Sequence, residues 1–113
     1  MGRRAELIEK YAADIKEKLG ETPDMDLLTK VTIGCGPSIY NDDASTVASS
    51  DPEELDRIRQ GYLIKKLGLP DGPALTDAIN TVIDAYGRSN RSKYRAVVYY
   101  LLCRHFGKES VYS

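Results

Sequence analysis

The chain has 113 residues, 42% hydrophobic and 29% charged, with a net charge of −1. That mix argues against a disordered chain, and the length supports one buried core that needs no disulfide or metal to fold. Cys35 and Cys103 make no secreted disulfide framework, Met1–Arg4 leads into charged residues rather than an apolar signal run, and no stretch spans a bilayer. The expectation is a single cytoplasmic domain over residues 1–113, without a membrane partner.

Leu7, Ile8, Tyr11, Ala12, Ile15 and Leu19 recur at helical spacing and predict a first helix, stopped by Gly20. Thr22-Pro23-Asp24 opens a second, with Leu27, Leu28 and Val31 as its apolar stripe, ending by Gly34. Residues 37–50 are the least regular, with Ile39 and Tyr40 as apolar anchors and room for a helical turn near Ala44–Val47. Asp51-Pro52-Glu53-Glu54 starts a third helix through a capping aspartate, a proline at the first position and acids at the positive end of the dipole. Leu55, Ile58, Tyr62, Leu63 and Leu67 form its stripe. Gly61 inside it costs roughly 1 kcal/mol against alanine, which suggests close packing there. Leu75, Ala78, Ile79, Val82, Ile83 and Tyr86 form a fourth helix, closed by Gly87.

The fifth helix is expected from Asn90 to Phe106 and is apolar on nearly every side: Tyr94, Val97, Val98, Leu101 and Leu102 on one stripe, Ala96, Tyr99, Tyr100, Cys103 and Phe106 on the others. Such a helix is buried on several sides. The fold class is therefore all-α, a compact bundle of about five helices around a central apolar C-terminal helix.

Charge is unevenly placed. Residues 1–86 hold 10 basic and 16 acidic side chains, whereas residues 87–108 hold six basic and no acidic ones. Arg88, Arg91, Lys93 and Arg95 fall at the expected start of the fifth helix, where the dipole disfavours them. Either acids among Asp42, Asp43, Asp51, Glu53, Glu54 and Asp56 fold over and pair with them, or an outside anion sits on the backbone N–H groups of Ser89–Ser92 between the arginines. Interleaved tyrosines would suit a nucleic-acid strand, but the overall pI of about 5.8 argues against one.

No other cluster reaches a chemical signature. Gly34-Cys35-Gly36-Pro37-Ser38 lacks the Lys-Ser/Thr of a phosphate loop and reads as a helix stop, with Cys35 a thiol of unknown environment. Cys103 and His105 stand two apart on a helix and face different ways, so they make no metal pair. No nucleophile has a base at a supporting spacing. No catalytic residue, metal site or cofactor is expected.

Four segments, Gly36–Asn41, Leu63–Leu69, Ser89–Val97 and Phe106–Tyr112, together resemble one bacterial family, the domain of unknown function 2853. The resemblance implies a compact bacterial cytosolic domain and brings no catalytic residues with it. The expectation for function is a small non-enzymatic interaction module, binding a protein partner or itself through Tyr94, Tyr99 and Tyr100 wherever the fifth helix stays uncovered. The alternative is a binder of a small anion or nucleic acid through Arg88, Arg91, Lys93 and Arg95.

Overall fold

A computed structural model describes residues 2–90 and 92–112. α1 (Arg3–Leu19) buries Ile8, Tyr11, Ala12 and Ile15 along its predicted stripe. Gly20, at φ 67°, closes it in the left-handed conformation that lets its N–H reach the Lys16 carbonyl at 3.0 Å. α2 (Met25–Cys35) begins on Asp24, whose carboxylate accepts the Leu27 N–H at 3.1 Å. It turns directly into a 3-10 helix, Gly36–Tyr40, with Pro37 fixing the first turn.

The third helix is not uniform. It opens as α3 (Pro52–Arg57), capped by Asp51, and widens into a π-helix, Ile58–Lys66. The Leu67 N–H accordingly bonds to the Tyr62 carbonyl, five residues back, at 2.9 Å. The apolar spacing accounts for the wider register. Ile58 and Leu63 lie five apart, as do Tyr62 and Leu67, and all four are buried. The expected close packing at Gly61 is corrected: a Cβ there would meet no atom within 4 Å.

α4 (Pro73–Tyr86) buries all six of its stripe residues. α5 (Arg95–His105) buries Ala96, Val97, Val98, Tyr100, Leu102 and Cys103 and packs against α1, α2 and α4, while Tyr62 of the π-helix stacks on its Tyr99. A last 3-10 turn, Glu109–Tyr112, lies against α2. The architecture is an all-α bundle around the apolar C-terminal helix. No helix among the described residues is long and apolar enough to cross a membrane.

Two expectations about the loops are corrected. The fifth helix starts at Arg95, not Asn90, and the helical turn expected near Ala44–Val47 falls earlier and ends before Thr46, with Ser45 N–H bonded to the Asn41 carbonyl four residues back at 2.8 Å. One interaction causes both. Thr46 and Tyr94 form an isolated antiparallel bridge, in which Val47 N–H bonds to the Lys93 carbonyl at 2.8 Å and Arg95 N–H to the Ser45 carbonyl at 2.7 Å. Backbone groups committed to a bridge are not free for a helical ladder.

Candidate functional site

The bridge brings Arg95 into a cleft of about 620 Å³ between the 41–51 loop and the third helix. Its walls carry Asn41, Asp43, Thr46, Asp51, Glu54 and Arg57. Three carboxylates face two guanidinium groups, so the cleft offers charge and hydrogen bonds. Arg95 is tied down at every arm: Nε donates to the Ala44 carbonyl at 2.7 Å, Nη1 to the Tyr99 hydroxyl at 3.1 Å, and Nη2 to the Glu54 carboxylate and, at 3.4 Å, to the Thr46 carbonyl. Burial opposes its charge, but Tyr99 and Glu54 outweigh that and hold the guanidinium above its ordinary pKa. Glu54 is itself buried. Its second oxygen, Oε2, has no hydrogen bond and lies 3.4 Å from the exposed Arg57.

Asn41 explains the loop's local shape. Its side-chain oxygen accepts the Asp43 and Ala44 N–H groups at 2.9 and 3.0 Å, an Asx turn that delivers the Ala44 carbonyl to Arg95.

The other basic residues are spent elsewhere. Arg88 follows the C-terminus of α4, where a cation suits the dipole, and it pairs with Asp84 at 2.7 Å and Asn80 at 3.1 Å. Lys93 is buried and donates to the Asn90 carbonyl, and burial together with Arg88 holds its pKa below the ordinary lysine value. Arg91 lies outside the described residues. Of the N–H groups expected to be free around Ser89–Ser92, that of Asn90 bonds to the Gly87 carbonyl in a turn and that of Ser92 bonds to the Asn90 side chain. Among the acids named for the cluster, Glu54 takes Arg95. Asp56 pairs instead with Arg59, which also binds Asp71.

The tyrosines separate likewise. Tyr100 is corrected as an interface residue: it is 1% exposed, and its hydroxyl accepts the Asp24 N–H at 2.8 Å, so it presents nothing to a partner. Tyr94 is half-buried, tilted against Tyr11 with Lys10 over its ring. Tyr99 is half-buried and stacked on Tyr62, ring centres 3.9 Å apart. The exposed large hydrophobic residues are Met25, Ile33 and Tyr40, on α2 and the turn after it.

Both cysteines are free. Burial pushes the Cys35 thiol up to about 11, against a small opposing pull from Arg95, so it is poor as a nucleophile near neutral pH. Burial, followed by Glu109, pushes Cys103 to about 11 as well. His105 is exposed in the last turn of α5, edge-on to Phe106.

In the sequence Glu54 reads as a helix-start acid, and nothing there marks it as the partner of Arg95. The α2 patch escapes the sequence reading because Met25 and Ile33 fall outside the Leu27–Leu28–Val31 stripe. That departure from the core stripe is itself the signal.

A family model described as "Protein of unknown function (DUF2853)" matches residues 10–110. No curated protein matches the chain.

Proposed function

The chain belongs to the DUF2853 family of proteins of unknown function, and we propose that it is a small non-enzymatic interaction module acting in the bacterial cytoplasm. The observation that carries this reading is the placement of Met25, Ile33 and Tyr40, the exposed large apolar side chains among the described residues. Met25 and Ile33 stand eight apart on α2 with Thr29 between them, so all three share one outward helix face. A groove of about 530 Å³ runs beside this face, lined by Arg3, Arg4, Ile8, Thr29 and Tyr40 with no carboxylate. Arg3 lies 5.4 Å from the Tyr40 ring centre.

An apolar strip with a cationic rim suits an acidic protein segment that presents an aliphatic or aromatic anchor. The anion alternative through Arg88, Lys93 and Arg95 has less support, because each of these cations already has an acceptor within the fold.

A photo-crosslinking residue in place of Ile33, expressed in the native cell, tests the reading. One discrete adduct is expected, lost when Arg3 and Arg4 are both changed to glutamate. No adduct, or an adduct indifferent to the charge reversal, overturns it. An adduct with the mass of two copies moves the reading to self-association.

A further inference from the structure

The π-helix, α2 and the last turn enclose a separate cleft of about 240 Å³, lined by Gly34, Gly61, Tyr62, Lys66, Tyr99 and Tyr112. It shares no lining residue with the groove at Arg3 and Tyr40, so its occupancy is independent of the interaction reading. We propose that this cleft binds a small planar aromatic acid, its ring against Tyr99 and Tyr112 and its carboxylate against the Lys66 ammonium.

Three observations carry the proposal. The first is the space. A Cβ on Gly61 would meet nothing within 4 Å, and one on Gly34 would meet only the edge of the Tyr112 ring at 3.5 Å. A glycine inside a helix weakens it, and here no neighbouring atom requires the missing side chain. The bare backbone leaves the cleft open.

The second is the spent state of the hydroxyl groups. Tyr62 donates to the Tyr99 carbonyl at 3.0 Å, and its oxygen is 2.9 Å from the Tyr112 hydroxyl, which is left as the donor in that pair. The Tyr99 hydroxyl accepts from Arg95. The hydroxyls are occupied within the protein, and the Tyr62 ring is buried and stacked on Tyr99, so the recognition surface is the part of the half-buried Tyr99 and Tyr112 rings that stays open, and aromatic surfaces prefer planar aromatic partners.

The third is charge. Lys66 is the single charged lining residue, it is exposed, and no carboxylate of the described residues pairs with it. Its ammonium stands 5.0 Å from the Tyr112 ring centre. A tyrosine-lined cleft on its own would favour a cation. Here the protein supplies that cation, so a second one is repelled and an anion is attracted. The volume falls below that of a drug-sized pocket, which limits the ligand to about one ring and its acid group.

Titration followed by NMR, reading the Gly34, Gly61 and Lys66 amide signals, tests this with three probes: benzoate, benzamide and benzylammonium. Benzoate is expected to move these signals saturably, with benzamide at least tenfold weaker and benzylammonium weaker still. Lys66→Gln should lower benzoate affinity to the level of benzamide, and Lys66→Arg should keep it. Gly61→Leu should abolish binding without lowering Tm, which separates a filled cleft from a damaged fold. The proposal is overturned if benzoate produces no saturable shift, if benzylammonium binds as tightly as benzoate, or if Lys66→Gln leaves benzoate binding unchanged.

Discussion

Replacing Arg95 with methionine should cost about 3 kcal/mol of stability. The Arg95 and Glu54 side chains are 14% and 6% exposed, so the pair is buried rather than a surface bridge. Removing one partner of a buried pair costs roughly 3–5 kcal/mol, because the other charge remains desolvated. Two features place this case at the low end of that range. Arg57 stands 3.4 Å from the Glu54 carboxylate and offers partial compensation, and the cleft above admits water. Three further acceptors, the Ala44 and Thr46 carbonyls and the Tyr99 hydroxyl, lose a donor at the same time. With a urea m-value of about 1.5 kcal/mol/M, the unfolding midpoint should fall by about 2 M. Adding Glu54→Leu should recover part of the loss, giving a coupling of at least ~1 kcal/mol between the two positions. Urea unfolding of the wild type, both single variants and the double variant measures this. Hydrogen exchange at the Val47 and Arg95 amides, which form the bridge, should quicken in Arg95→Met. If the two single losses simply add, or if Arg95→Met costs under ~1 kcal/mol, the buried pair is not what holds the loop.

Tyr86→Phe removes a buried hydroxyl that donates to Asp14 and lies 3.3 Å from the Tyr94 N–H, and should cost about 1–2 kcal/mol in the same assay. Asp24→Ala removes the α2 cap and should cost about 1 kcal/mol, with fraying of residues 25–28 visible in amide exchange. Stability should fall as pH rises from 9 to 11. Both thiols are raised from 9 to about 11 in the fold, so the stabilisation is fully present below 9 and is lost as pH passes through the folded value. Cys35→Ser should flatten part of that slope, and an unchanged slope in both Cys35→Ser and Cys103→Ala would refute the assignment. Asp56 and Asp71, held low by their hydrogen bonds to Arg59, contribute in the opposite direction. Their stabilisation is present above the ordinary aspartate value and is lost as acid takes pH below it, so Arg59→Ala should make the acid limb less steep.

The helices are legible in the sequence because their apolar spacing and stop residues are local. Leu7 to Leu19 predicts the buried face of α1, and Leu75 to Tyr86 that of α4, with no knowledge of what lies opposite. The start of α5 is not legible. Its residues favour a helix back to Asn90, and the partner that prevents this, Thr46, lies 48 positions away in a loop without periodicity. The basic cluster misleads for the same reason. Arg88 belongs to the end of α4, while Arg95 answers to Glu54, a residue whose sequence setting advertises a helix start. The π-register is present in the sequence as the five-residue spacings Ile58–Leu63 and Tyr62–Leu67, but an α-helical reading absorbs both. Gly61 stands out in the sequence as an anomaly, yet it is no sign of crowding. A missing side chain marks either close approach or kept space, and only the surroundings distinguish the two.

The position of α5 has a consequence for the order in which the molecule is made. The helix that α1, α2 and α4 all pack on is synthesised after every one of them. At 5–20 residues per second, roughly 4 to 17 s separate the completion of α1 from the completion of α5. Throughout that interval the apolar faces carrying Tyr11, Ile15, Leu28, Val31, Ile79 and Ile83 lack their central partner. Those faces meet their central partner only when the last helix arrives and the bundle closes around it.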